Sequence, residues 1–414
     1  MKNHFSIAAL VWVLVWPTMG QSANWPEFRG PTGEGIATVS GLPVEWSPDK
    51  NVVWKTPVPG LGWSSPIVLG EQIFLTTAVG AEDDQSGPQK LRVLSFDVAT
   101  GKPNWNVEVF APRDTSMHKK NSHASPTPIT DGEHIFVHFG AYGTAALTTD
   151  GKVLWRQTGI DYRMQHGTGG SPILVDDLLV FSCDGSDVQF VVALDKSTGK
   201  IRWKKDRPAI KNSRKFSFST PLAIEVDGQT QIISPATDQV VAYAPQDGRE
   251  LWSLPYSGYS VIPRPVYGGG LLYLATSYNT SQLLAIRPGT QDSEAEIVWK
   301  LQRGAPHTPS VVYVDGMVFL VSDRGIGTCV DAATGTVHWQ KRLGGNYSAS
   351  PLYSEGRVYF QSEQGVGTVV RASKEYEVLA ENDMKERTLA SYAVAEKDLL
   401  IRTETQLYRV SATP

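Results

Sequence analysis

Ala193-Leu194-Asp195-Lys196-Ser197-Thr198-Gly199-Lys200-Ile201-Arg202-Trp203 reads as a strand, an Asp-x-x-Thr-Gly turn and a second strand, with a tryptophan four residues after the glycine. The phrase returns at Asp97 to Gly101 with Trp105, and at Asp331 to Gly335 with Trp339. Looser copies end at Trp155, Trp252 and Trp299, and Trp54 opens the series without a preceding turn. Successive tryptophans stand 40 to 51 residues apart. Self-similarity at such a period marks a repeat architecture.

Each unit carries four strand signals. In the first, a Ser-Pro pair at Ser65-Pro66 precedes Ile67-Val68-Leu69, and Gly70-Glu71 turns the chain into Gln72 to Thr76. Leu91 to Val98 and Asn104 to Val109 follow. Short β-branched and aromatic runs between Gly, Asp and Pro turns indicate antiparallel sheet. Further units start at Ser125-Pro126, Ser171-Pro172, Thr220-Pro221, Arg264-Pro265, Thr308-Pro309, Ser350-Pro351 and Ser391-Tyr392. The last unit has room for three strands only, while a spare strand, Asn51 to Pro57, stands ahead of the first unit. Both oddities vanish if the N-terminal strand completes the last sheet, which also removes exposed edges. The expected fold is therefore all-β: an eight-bladed β-propeller of four-stranded antiparallel blades, with seven blades as the alternative if the degenerate unit at 345–385 is miscounted. The tryptophans Trp54, Trp105, Trp155, Trp203, Trp252, Trp299 and Trp339 begin fourth strands, where a large flat ring wedges between blades.

Residues 1–23 read as a cleavable leader: Lys2, an apolar run from Ile7 to Trp16, then small residues at Gly20, Ser22 and Ala23. No cysteine follows it for a lipid anchor, and no later stretch is apolar enough to span a bilayer. The expected address is the periplasm or the exterior. Residues 24–50 form an arm, a strap anchored by Trp25, Phe28 and Trp46, and residues 51–414 form the propeller. Removing Lys2 takes the formal net charge from −4 to −5, which excludes a general electrostatic case for nucleic acid. Cys183 and Cys329 lie in different repeats and read as buried apolar residues rather than a disulfide. A monomer is expected.

The phrase Ala-x-Asp-x-x-Thr-Gly-x-x-x-Trp resembles the blade-docking repeat of quinoprotein alcohol dehydrogenases, and the likeness covers nearly the whole mature chain. It identifies the pyrroloquinoline-quinone-type (PQQ-like) propeller repeat superfamily. Trp25-Pro26-Glu27-Phe28-Arg29-Gly30-Pro31 and Gly62-Trp63-Ser64-Ser65-Pro66 look like exported propellers of planctomycete-type bacteria. A non-enzymatic relative is the scaffold lipoprotein of outer-membrane barrel assembly. Against the dehydrogenases, the chain has no vicinal Cys-Cys pair, and no carboxylate and amide set for Ca²⁺ aligns.

Long connections (78–90, 110–124, 157–170, 204–217, 254–263) emerge on one face, where binding residues usually sit. Residues delivered beside the first strands give a candidate channel mouth of Trp63, His123, His166, Arg264, His307, Tyr347 and Arg387. Such a ring suits an anionic, planar or sugar-like ligand. No metal site is expected, because His134 and His138 lie too far apart along a strand to share an ion. Arg202 to Lys215 carries seven basic residues against Asp206 alone and reads as a solvated loop or a patch for an anionic partner. The preferred function is a binding or scaffolding module of the cell envelope, meeting an envelope protein or glycan on the long-loop face. The alternatives are a PQQ- and Ca²⁺-dependent alcohol or sugar dehydrogenase, and a carbohydrate-binding or carbohydrate-active propeller using Trp63, His123, His166 and Arg264.

Overall fold

The computed structural model describes residues 24–80, 87–113, 115–279 and 281–413. The leader expected over 1–23 lies outside the described residues. Eight sheets form the body, each a four-stranded blade, one of which gains a short fifth strand from the arm, and in seven of the blades the four strands follow one another in chain order. The first runs through Ile67–Leu69, Gln72–Val79, Lys90–Asp97 and Pro103–Phe110. Blades 2 to 7 begin at Ile129–Thr130, Ile173–Val175, Leu222–Val226, Val266–Gly268, Val312–Val314 and Leu352–Ser354. The eighth sheet is Ala393–Ala395, Asp398–Arg402 and Gln406–Val410, completed by Val52–Pro57. That last strand pairs antiparallel, Val52 opposite Val410 and Thr56 opposite Leu407. The unit at 345–385 is a full blade, so the count is eight and not seven. Two unit starts move by two residues: blade 2 follows Thr127-Pro128 rather than Ser125-Pro126, and blade 6 follows Ser310 rather than Thr308-Pro309.

Burial follows position within a blade. The two middle strands are covered on both faces by neighbouring blades, and Leu178–Asp184 is buried almost throughout. Outer strands alternate, as Val52–Pro57 and Val153–Gln157 do, because one face meets the next blade and the other meets water. The only helical element among the described residues is a single turn at Gly140–Tyr142.

The repeated phrase is a junction between blades. Asp195 Oδ1 accepts the N–H and hydroxyl of Thr198, at 2.9 Å each, and the hydroxyl of Ser197 at 2.7 Å. Those hydrogen bonds, the Ser197 hydroxyl foremost, hold its carboxyl well below the usual range. Gly199 has φ +69°, and a Cβ built there would lie 2.5 Å from the Trp155 ring. Glycine is required twice over, by the backbone and by the indole of the preceding blade lying flat on it. Trp155 Nε1 donates to Lys196 O of the same turn at 2.9 Å. Trp54, Trp105, Trp203, Trp299 and Trp339 donate likewise to Val98, Thr149, Pro245, Ala332 and Ser373 carbonyls of the next blade. Trp252 departs: its N–H goes to Gln231 Oε1 at 2.7 Å, and Gln231 Nε2 carries the link to Gly289 O.

At the seam between blades 7 and 8 the corresponding outer-strand position is Ala380, opposite Val369. Trp46 of the arm fills it. Its ring stacks at 6.3 Å on Tyr359 of blade 7 and meets Tyr392 of blade 8 edge-on at 6.1 Å. Asn382 holds the backbone there, accepting the Trp46 N–H at 2.8 Å and donating to Val44 O at 2.9 Å.

The arm crosses one end of the channel. Trp25 exchanges backbone bonds with Val68 of blade 1, and Pro26 O accepts from Thr130 of blade 2. On the far side Glu27 pairs with Arg264 at 2.9 Å, and Arg29 Nη2 donates to Val311 O at 2.5 Å. Ile36–Ala37 then runs parallel to the first strand of blade 7. Between the Thr130 and Arg264 contacts the chain spans the axis, and Phe28 lines the channel from below.

Within the basic run, Arg207 is buried and forks onto Asp184 through Nε at 2.5 Å and Nη2 at 2.9 Å, with Ser234 completing its bonds. Arg202 pairs with Asp177 and Asp195, and Lys204 covers the Phe190 ring. The stretch is therefore not one solvated loop: strand alternation directs its charges to different partners. Cys183 and Cys329 are buried free thiols in blades 3 and 6.

Candidate functional site

Above Phe28 the channel opens into a cavity of about 380 Å³. Its lowest tier is a crown of hydroxyls, one from the start of each blade except the fifth. Ser65 N donates to Thr127 Oγ1, Thr127 N to Ser171 Oγ and Ser171 N to Thr220 Oγ1, at 2.9–3.0 Å. After the interruption, Arg264 N donates to Ser310 Oγ, Ser310 N to Ser350 Oγ and Ser350 N to Ser391 Oγ, again at 2.9–3.0 Å. The first strands converge so tightly at the axis that small side chains fit best, and six of the eight backbone N–H groups there find an acceptor in the neighbouring blade's hydroxyl.

The wall above is aromatic on one side. His166 meets Phe216 edge-on at 5.2 Å and stacks on Phe218 at 6.2 Å. Tyr259 continues the arc from Phe216 at 6.0 Å, and Tyr278 follows at 5.9 Å. His118 lies against His166 at 5.5 Å, and burial first, then the His118 charge, lowers the His166 pKa. Lys120 bridges the rim from the loop between blades 1 and 2 to Glu363 of blade 7, at 2.6 Å. All of these except Glu363 line the cavity, and among the described residues neither aspartate nor glutamate does.

Of the seven residues expected at the mouth, Trp63 and His166 line the cavity. Arg387 lies over the Trp63 ring at 5.2 Å and pairs with Glu404, and His307 packs on Tyr278 at 4.8 Å, so these two stand one layer behind. His123 is buried beneath the mouth against Tyr142, and Tyr347 is buried within the blade 6–7 core. Arg264 points to the opposite end, where Glu27 Oε2 and Phe28 O accept from it. A guanidinium is too long for the crown, and its partner is 237 residues away in the chain. The set Trp63, His123, His166 and Arg264 is therefore not assembled at one site. Lys120, Phe216, Tyr259, Tyr278 and the crown lie outside the expected set, and His118, one of the histidines of these loops, joins them at the cavity. The crown's signal was in view, since the small residue before each first strand recurs through the sequence.

His134 stands at the surface near Asp131. His138 is buried on Phe181 at 4.2 Å, with Nδ1 2.8 Å from Thr144 Oγ1, and burial pushes its pKa down to about 3. Among the described residues no three His, Cys, Asp or Glu side chains are placed to hold a metal ion. A quinone with Ca²⁺ needs convergent anionic oxygens. Among the described residues, two acids near the mouth are engaged: Asp323 with the His307 N–H and the Thr308 hydroxyl at 2.6 Å, Glu363 with Lys120 and Ser348. These residues do not fit that cofactor pair.

An eight-bladed ring sealed by indole-on-glycine junctions and hollowed into a blind cup defines the molecule's class. Overlapping matches to residues 35–158, 87–220, 189–312 and 289–405 show that the chain belongs to the PQQ-type repeat family described as outer membrane protein assembly factor BamB. BamB from Moraxella catarrhalis is 12% identical with a TM-score of 0.60, over 87% of this chain and 97% of that one. The quinohemoprotein alcohol dehydrogenase ADHIIG from Pseudomonas putida HK5 is 11% identical with a TM-score of 0.62, over 95% and 81%. The computationally designed Ika8 protein is 12% identical with a TM-score of 0.60, over 91% and 99%. At these identities the likeness is one of fold. No curated protein matches the sequence.

Proposed function

We propose that this protein is an exported binding module that receives its ligand in the mouth cavity. The observation that carries the reading is the blind channel: the arm and Phe28 close one end, and an aromatic cavity of about 380 Å³ opens at the other. A concave, largely apolar site with a few convergent polar groups is the usual form of a ligand pocket. The leader-like residues 1–23 and membership of a family described by an outer-membrane assembly factor support a periplasmic or envelope address. A thermal-shift screen of planar fragments against the wild type and His166→Trp tests the proposal, since the larger ring fills the cavity between Phe216 and Phe218. Compounds that raise Tm in the wild type and not in His166→Trp are expected. An absence of hits, or hits that stabilise both proteins equally, overturns the reading.

A further inference from the structure

The crown has an imbalance that points to the ligand's chemistry. Six of its seven oxygens accept a backbone N–H, and Ser65 Oγ has no partner among the described groups. No described group takes the O–H of any of the seven. All are buried, at 7% exposure or less, and all face the cavity. A hydroxyl whose lone pair is held by an N–H has its proton left to donate. Buried donors require acceptors, so the tier presents a ring of O–H groups converging on the channel axis.

We propose that this crown receives a carboxylate, and that the ligand is a flat aromatic carboxylate whose ring lies against the arc of Phe216, Phe218 and Tyr259. The proposal rests on the mouth being the ligand site. A carboxylate is acceptor-only and offers about four lone-pair positions to such a ring. Cations are disfavoured because no carboxylate among the described residues lines the cavity, while His118, His166 and Lys120 stand along its rim. A doubly charged phosphate is disfavoured in turn. Arg264, whose repeat position would place a guanidinium in the crown, is turned away and held by Glu27, and the groups that line the floor are neutral hydroxyl donors. Neutral hydroxyl donors suit a single negative charge, and aromatic walls suit a planar body placed above it.

Calorimetric titration of the mature chain with 2-naphthoate and with its neutral isostere 2-naphthamide tests this. One-to-one binding of the acid at least tenfold tighter than the amide is expected. Ser171→Ala and Ser350→Ala, on opposite arcs, should each weaken the acid about fivefold and the amide by less than about twofold, because a charged acceptor gains more from each donor than a neutral carbonyl does. The comparison on the wild type needs no variant to fold, and circular dichroism and Tm check the two that are made. Equal binding of acid and amide overturns the carboxylate assignment while leaving the cavity a binding site. Binding of neither probe, with cavity-dependent hits in the fragment screen, also overturns it and leaves the proposed function standing. Binding of neither with no such hits removes both.

Discussion

Trp46→Ala removes the indole that the arm contributes to the seam between blades 7 and 8. The side chain is 2% exposed, and a buried tryptophan withdraws about 150–250 Å² from water. At about 25 cal/mol per Å² that is about 4–6 kcal/mol of transfer free energy. Its Nε1 has no hydrogen-bond partner among the described residues, so truncation forfeits no bond described there. Tyr359 and Tyr392 can relax into part of the void, which brings the expected loss to about 3–5 kcal/mol. Urea unfolding should show the midpoint falling with an unchanged slope, since the cooperative unit is the same. Trp339→Ala is the comparison, an indole at a regular junction that also loses its bond to Ser373 O. A loss below about 1 kcal/mol for Trp46→Ala, with full loss for Trp339→Ala, refutes the claim that the arm supplies the eighth junction.

Three more outcomes follow from buried polar groups. His138 is held neutral, with its pKa near 3 against an ordinary 6.5, so the unfolded chain alone takes up a proton as pH falls below 6.5. Stability should drop by about 1.4 kcal/mol per pH unit from there towards pH 3, and His138→Gln should remove that component from the difference in urea midpoints between pH 7 and 5. Asp184→Ala strands the buried Arg207 charge and should cost about 3–5 kcal/mol, measured by the same unfolding curves. Arg264→Met leaves Glu27 without its cation. The arm should then be cut near residues 26–35 at a protease concentration that spares the wild type, shown by mass spectrometry of the fragments.

The ring was legible because its junction is local: aspartate, threonine, glycine and tryptophan fall within eleven residues, and their period counts the blades. The closing strand was legible for a related reason, since three strands at one end and a spare at the other have one economical solution. The candidate site was less so. Arg264 occupies the same repeat position as Ser171 and Ser350, and nothing nearby in the sequence says that its side chain turns towards Glu27. His123 and Tyr347 lie in the right loops, yet loop position does not determine whether a ring faces the channel or the core. Phe216 and Tyr259 meet only because two inter-blade loops fold over the same rim. The crown was written in the Ser-Pro and Thr-Pro pairs, but those served as strand punctuation, and its meaning appears only when the blades bring the hydroxyls to a common axis.

The pairing of Val52–Pro57 with Gln406–Val410 joins segments some 350 residues apart. At a synthesis rate of about 5–20 residues per second, the first strand waits on the order of 20–70 s for its partner to be made. During that interval the arm has no floor to cover, Trp46 has no seam to fill, and a strand edge is open to any other chain. The circle that gives the last blade its fourth strand thus leaves that strand unpaired longest while the molecule is being built. Its yield in a cell depends on whatever keeps the earliest residues apart from their neighbours until the last ones arrive.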